Sequence, residues 1–427
     1  MLVTNVFMGR PLARLKGFQK LTSTDDALRT WLNILQIKRR REVTVPLHKA
    51  LNRVLAEDIV AEEDLPRFDR SAVDGYALKS ESTSGASQFK PAFFQIAAAE
   101  EVNSKQARQV WTGNAIPKGA NAVVMLENTQ RRDGEIEVWV QLAPGENVSK
   151  KGEDIKKGEN AVKAGTRLKP YHLGLLAALG NSKIRVTEKP RIAILSTGNE
   201  LAEVGSKPAE NQIFESNRIM LSAMCHELDA ETVDLGIAKD DVNEITKKLR
   251  IGLLNSDAII TTGGTSVGGL DLVPDAVNKM GKPGVVVHGV AMRPAMPTAL
   301  AVLEGKPVMI LSGNPVAAII GFEVFARPLI CKMLGMKKEE PRPVIKAVMA
   351  RKVATALGRK TFVRVRVLQK NGEFRAEPVS ARGSGAISTM TRGNGFVIVP
   401  ENREGLSEGE LVMVHLFGDV EAVNENV

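Results

Sequence analysis

The chain has 427 residues, 43% of them hydrophobic and 25% charged, which allows about three domains and fits a globular rather than a disordered protein. A net charge of +9 favours an anionic ligand, while an aromatic content of only 4% argues against a base-stacking nucleic-acid surface. No apolar run is long enough to span a membrane, two cysteines form no disulfide framework and the five histidines are scattered, so a cytoplasmic protein without structural zinc, membrane or nucleic-acid partner is expected.

Residues 1–20 are basic and aperiodic and read as an extension. Thr22–Ile37 reads as a helix, because Ala27, Leu28, Trp31, Leu32 and Leu35 recur at helical spacing behind a Ser/Thr/Asp start. The basic run Lys38–Arg41 is explained by favourable charge at a helix C-terminus or by an acidic partner. DLPRFDRSAVDGYA (64–77) is polar and turn-rich, with Asp64, Asp69 and Asp74. It reads as a loop, either functional or simply solvated. Gln109–Thr112, Ala122–Met125 and Ile136–Gln141 are short strand patterns. They are followed by the Gly-bounded acidic stretch Lys151–Gly158. Pro170–Leu179 is a short helix with Pro170 near its start and Gly180 after its end.

From Pro190 strands and helices alternate. Arg191–Ser196 is a strand, and Ser216–Leu228 a helix expected to turn Ile219, Met220, Ala223, Met224 and Leu228 inward. Thr232–Ile237 is a strand, and Val242–Leu254 a helix capped by Asp241. Ala258–Thr262 is a buried strand leading into a loop with Gly263, Gly264, Gly268 and Gly269, with Thr265 and Ser266 adding hydroxyls. Asp271 is placed to cap a helix from Leu272. Strands near Val285–Val290, Ala299–Val302 and Val308–Leu311 precede Ser312-Gly-Asn-Pro315 and another helix. This alternation predicts a doubly wound, mostly parallel sheet with ligands beyond the carboxyl ends of its strands. Glu200, Asp240, Gly263–Gly269 and Gly313–Pro315 would then share one rim. A Gly-rich loop between strand and helix suits an anion, although a plain structural turn has the same outline. The loop carries neither the P-loop pattern nor GxGxxG, which leaves little support for a dinucleotide-dependent oxidoreductase. Residues 340–427 return to strands, with Thr361–Val367 alternating and Asn371-Gly372 marking a hairpin.

The ordered set FDRSAVDGYA (68–77), TGNAIPKGANAVVM (112–125), GEDIKKG (152–158), STGNEL (196–201), GIAKDD (236–241), TGGTSVGGLD (262–271) and SGNPVAA (312–318) resembles the molybdopterin molybdenumtransferase family, which includes the E domain of gephyrin. The resemblance implies a multidomain α/β fold. Its parts are a basic extension (1–20), an elongated helical linker domain (21–57 plus 159–189), an inserted β-rich domain (58–158), a central doubly wound α/β domain (190–338) and a small C-terminal β-barrel-like domain (339–427). It implies a homodimer that takes adenylylated molybdopterin and molybdate, or tungstate, and releases AMP with the help of Mg²⁺; a molybdopterin adenylyltransferase is the implied protein partner. The family's acidic residues fall on Asp74, Asp154, Glu200, Asp240 and Asp271, of which Glu200, Asp240 and Asp271 are the implied Mg²⁺ ligands. Hard carboxylate oxygens suit that ion. Substrate contacts are implied for Thr112, Gly263, Gly264, Thr265, Ser266, Gly268, Arg293, Pro297, Ser312, Gly313, Asn314, Pro315, Arg364 and Ser384.

The sequence also departs from the family. Lys-Pro-Gly-Lys-Pro is replaced by Arg293-Pro-Ala-Met-Pro297, Gly289 stands where lysine is common, Ala317 replaces a serine, and Asn199 replaces an aspartate. The acidic side is kept and the oxyanion side is thinned. Two readings follow: a working enzyme with altered oxyanion affinity or selectivity, and a non-catalytic scaffold or binding relative.

Overall fold

The computed structural model describes residues 21–35, 37, 41–265, 271–336, 342–379 and 383–422. The basic extension, most of the Lys38–Arg41 run, and Ser266 and Gly268 lie outside them. The chain divides into two compact units, Val43–Val186 and the remainder.

The first helix, Thr24–Ile34 (α1), is capped by the Ser23 hydroxyl, which accepts the Asp26 N–H, and buries Ala27 and Trp31. The Trp31 indole N–H donates to the Ala301 carbonyl at 2.9 Å. Residues up to Glu42 fall in the same compact unit as the large α/β sheet.

Within Val43–Val186 a six-stranded sheet is built from Gly75–Leu78 (β1), Ala92–Ile96 (β2), Gln106–Val110 (β3), Ala122–Met125 (β4), Thr129–Arg132 (β5) and Glu135–Val138 (β6). Its order is β4-β1-β3-β2-β6-β5; only β2 and β3 run parallel. Part of the expected 64–77 loop is therefore a central strand. Gly75 permits it, because a Cβ there would meet the Val124 carbonyl oxygen at 1.9 Å, and all of Gly75–Leu78 is buried. The chain before and after this sheet shares a second core, in which Leu55 packs with Leu168, Leu176 and Val186. Leu176 comes from the helix Pro170–Ala178 (α2).

The larger unit is centred on Arg191–Thr197 (β7), Asn217–Glu227 (α3), Glu231–Ala238 (β8), Val242–Asn255 (α4), Ala258–Thr262 (β9), Leu272–Met280 (α5), Gly284–His288 (β10), Met292–Arg293 (β11), Ala299–Leu303 (β12), Lys306–Leu311 (β13), Pro315–Gly321 (α6) and Arg327–Met333 (α7). The sheet order is β8-β7-β9-β13-β12-β10. The first four strands are parallel and β12 is antiparallel to both its neighbours. Continuous apolar runs explain the parallel core: every residue of β9 is buried, as two-sided strands require. Helices α4 and α5 cover one face through Ile245, Leu249, Val273 and Val277.

Helix α3 differs from its sequence reading. Leu221, Cys225 and Leu228 are buried, whereas Ile219 is 61% exposed and Ala223 is also exposed. Polar Asn217 and Arg218 take inward positions at its start, and that rotates the apolar stripe. Burial pushes the Cys225 thiol up to about 12, so it is inert.

The C-terminal strands Val344–Met349 (β14), Lys360–Lys370 (β15), Glu373–Pro378 (β16), Gly395–Val399 (β17) and Leu411–Leu416 (β18) close on themselves in the order β15-β16-β14-β18-β17-β15. Val365, Val367, Val397 and Val414 fill this five-stranded barrel. The short strand β11 joins β15 in parallel, Arg293 opposite Thr361. No helix among the described residues is long and apolar enough to cross a membrane.

Candidate functional site

Parallel register sets the site. Thr197 lies beside Ala238, Ser196 beside Thr262, and Thr262 beside Leu311. Four strands thus end at neighbouring positions, and the loops after β7, β8, β9 and β13 rise from one edge. Glu200 and Asp240 stand on this rim. The Glu200 carboxylate folds over Gly198, where a Cβ would meet its oxygens at 2.4 and 2.6 Å. Asp240 accepts the Asn199 N–H at 3.3 Å and gives its own N–H to the Asn199 side-chain carbonyl at 3.2 Å. Asn199 is therefore fitted to this clasp, because an aspartate would set a second carboxylate against Asp240.

Capping does not use the side chains of Asp240 and Asp271. Asp241, not Asp240, caps α4 by accepting the Glu244 N–H at 2.8 Å. Asp271 occupies the N-cap position of α5 but makes no side-chain cap bond. Its Oδ2 instead lies 3.7 Å from His288 Nε2. Both carboxylates are thus left for other chemistry. Among the described residues, no three Asp, Glu, His or Cys side chains converge on one point as a metal cage, so Glu200, Asp240 and Asp271 do not enclose an ion by themselves. That donor set fits Mg²⁺ in its usual mode, held by one or two carboxylates together with substrate phosphate oxygens.

Beside the rim lies a cavity of about 680 Å³. It brings together Arg293, Pro297, Ser312, Asn314, Arg364 and Ser384, all expected from the sequence. The cations Arg351, Lys352 and Arg359 also line it and were missed. Their only sequence signal is basic residues just before the strand-like Val353-Ala354 and Thr361–Val367 stretches. No carboxylate occurs among its described lining residues. Arg364 Nε is buried and has no hydrogen-bond partner among the described residues, and burial pushes its guanidinium below the ordinary value. A cation held at this cost to its charged form calls for an anion. Glu200, Asp240 and Asp271 do not line the cavity. The loop Ser312–Asn314 connects the two regions, since it leaves the rim and forms part of the cavity wall, and the Val316 N–H donates to the Ser384 carbonyl at 3.1 Å.

Gly263 and Gly264 lie under the rim and not in the cavity. Added Cβ atoms there would meet the Thr197 carbonyl at 2.4 Å and Val273 at 2.5 Å, so close packing explains both. Thr265 Oγ1 is buried without a partner among the described residues. Gly313 rests against Gly263, and Pro315 opens α6.

Met296 and Ala317 line the cavity at two positions where the resemblance carries polar side chains. Between Arg293 and Met296, Ala295 is buried at φ +79°, a left-handed conformation that glycine takes freely and a Cβ resists. Replacing Ala295 by glycine is therefore expected to stabilise the protein by about 1 kcal/mol, read as a raised denaturant midpoint at unchanged slope.

Asp74, Thr112 and Asp154 belong to the smaller unit. The Thr112 backbone N–H and hydroxyl both donate to Asp74 Oδ1, at 2.7 and 2.8 Å, and hold its carboxyl below the usual range. Asp64 and Asp69 are structural, accepting the Lys157 and Lys151 N–H groups at 2.8 Å each. They tie the 64–74 segment to the loop that carries exposed Asp154, whose own N–H donates to the Leu65 carbonyl at 3.1 Å.

Three family profiles match the chain: MoeA N-terminal region (domain I and II) over residues 22–180, probable molybdopterin binding domain over 193–332, and MoeA C-terminal region (domain IV) over 346–417. The chain is similar to a molybdopterin molybdenumtransferase of Haemophilus influenzae, 34% identical over 87% of this chain and 93% of that protein. A molybdopterin molybdenumtransferase of Staphylococcus aureus is also 34% identical, over 88% and 91%. A molybdopterin biosynthesis moeA protein structure from Pyrococcus horikoshii OT3 superposes with a TM-score of 0.79 at 34% identity, covering 93% of this chain and all of that one. With its three matched regions, its barrel and its cationic cavity, the chain belongs to the molybdopterin molybdenumtransferase family of molybdenum cofactor biosynthesis.

Proposed function

We propose that the protein transfers molybdenum from molybdate to adenylylated molybdopterin with release of AMP. The observation that carries this reading is the cavity whose described lining holds cations and no carboxylate, with Arg364 half-buried and its Nε without a hydrogen-bond partner among the described residues. A tetrahedral dianion answers that need. Arg293 and Arg364 supply fixed charge, and Ser312 and Ser384 supply hydroxyl donors around it. The rim carboxylates Glu200, Asp240 and Asp271 would hold Mg²⁺ with the substrate's phosphate. The ion's contribution there is to neutralise and orient that phosphate. Asp74, kept ionised by Thr112, and Asp154 are the family acids of the smaller unit. The family supports a homodimer and supply of the substrate by a molybdopterin adenylyltransferase; two buried thiols fit the cytoplasm.

A second reading rests on Met296 and Ala317 in the cavity wall. They remove a charge and a hydroxyl from the oxyanion's surroundings, which favours weaker molybdate binding or a preference for tungstate. A non-catalytic scaffold is the limiting case. The test is AMP release by purified protein with Mg²⁺, with molybdate and tungstate titrated separately. Saturable, oxyanion-stimulated release is expected, and Asp271→Asn should lower it about 100-fold or more. Tight pterin binding without release at any oxyanion concentration would leave only the binding protein.

A further inference from the structure

The start of α3 touches the rim's loops after β7 and β13 and reaches the end of β9 through Ser196, without lining the cavity. Glu215 is 2% exposed, Ser196 0% and Thr262 2%. The Ser196 hydroxyl donates to Glu215 Oε1 at 2.8 Å and lies 2.9 Å from Thr262 Oγ1. Ser196 gives its one proton to Glu215, so Thr262 donates to Ser196. These hydroxyls sit at the carboxyl ends of β7 and β9, beneath Glu200 and the Gly263–Thr265 loop. On its other side Glu215 accepts Arg218 Nε at 3.1 Å and the Arg218 N–H at 3.0 Å. Arg218 also pairs with Asp234 of β8 at 2.7 Å, and with Glu203 just past Glu200. Between them, Asn217 Nδ2 donates to the Gly313 carbonyl at 2.8 Å, which reaches the Ser312–Asn314 wall of the cavity.

We propose that Glu215, Asn217 and Arg218 are positioning residues that set the relative heights of the substrate loops. Glu215 acts through Ser196 and Thr262 on the loops after β7 and β9, Arg218 holds the chain beyond Glu200, and Asn217 holds the loop after β13. This rests on reading those loops as the substrate site. The arrangement gives the loops two separate arms, Glu215 through Ser196 to those after β7 and β9 and Asn217 to the one after β13, so that a single substitution uncouples one arm and spares the other. A merely structural polar core would loosen them together.

Ser196→Ala removes one hydroxyl from the Glu215 arm. Asn217→Asp removes the N–H that Gly313 accepts and keeps α3 intact, since an acid suits a helix N-terminus. Native-state hydrogen exchange of the full chain reads the loops without any ligand. Ser196→Ala is expected to speed exchange about tenfold in 197–203 and 258–265, leaving 312–318 and the reference helix α4 unchanged. Asn217→Asp should give the opposite pattern. In turnover, each variant should lower kcat roughly 10- to 100-fold, the range for displacements near 1 Å, with KM for the adenylylated pterin within about twofold. Uniform acceleration that includes α4, no acceleration at all, or full kcat in both variants would overturn the proposal. If Ser196→Ala does not fold, Asn217→Asp decides alone. If the wild-type protein releases no AMP, the proposed function falls and the exchange patterns still decide the positioning role.

Discussion

Replacing Arg364 by leucine is expected to cut oxyanion-stimulated AMP release about 30- to 700-fold, while the free protein keeps or gains thermal stability. On the proposed function the loss follows from removing a half-buried charge set to meet a dianion, typically about 2–4 kcal/mol, converted at about 1.4 kcal/mol per tenfold. The stability sign is opposite because the ligand-free protein bears the cost of Arg364: its Nε is buried without a partner among the described residues, and burial disfavours its charge. Leucine is shorter but apolar, so it removes that cost and keeps an apolar stem in a wall that also holds Phe362 and Val379. Molybdate titrations of turnover together with melting curves check both signs. A variant that loses activity and stability together would identify Arg364 as a structural residue instead.

Trp31→Ala should cost about 3–5 kcal/mol, the usual range for emptying a large aromatic site. Trp31 is fully buried, and its indole N–H donates to the Ala301 carbonyl. For a unit of this size the melting temperature should fall by roughly 10 °C. Trp31→Phe, which fills much of the volume but offers no N–H, should recover more than half of the loss. Helix α1 then counts as part of the α/β core, although residues 43–186 separate the two in the chain.

Much of the rim was legible because parallel strands are buried on both faces. Ala258–Thr262 reads as an apolar run that only a central strand explains, and the loops after such strands must share an edge. Asp271 was legible as a helix start, yet its side chain is turned to His288, a contact between residues 17 positions apart that no local pattern encodes. The inward face of α3 was misread because periodicity counts apolar residues, whereas Arg218 is drawn inward by Glu215, Asp234 and Glu203. Gly75–Leu78 was misread because Asp-Gly reads as a turn; the close approach to Val124 that requires glycine is made by a strand about fifty residues away. Arg351 and Arg359 come to the cavity from the barrel, and their convergence with Arg293 is a product of tertiary folding.

The pairing of β11 with β15 has a thermodynamic consequence. Arg293 stands on β11 and Arg364 on β15, and the two strands are stitched backbone to backbone, Met292 to Lys360 and Arg293 to Thr361. The two guanidinium groups are thus anchored on one continuous hydrogen-bonded seam and not on bodies that hinge apart. The backbone beneath both arginines is set when the chain folds, so on the proposed function little backbone freedom remains to be lost when an anion binds there. Oxyanion capture should accordingly follow a single bimolecular step whose rate responds to ionic strength and hardly to crowding agents that slow large hinge motions.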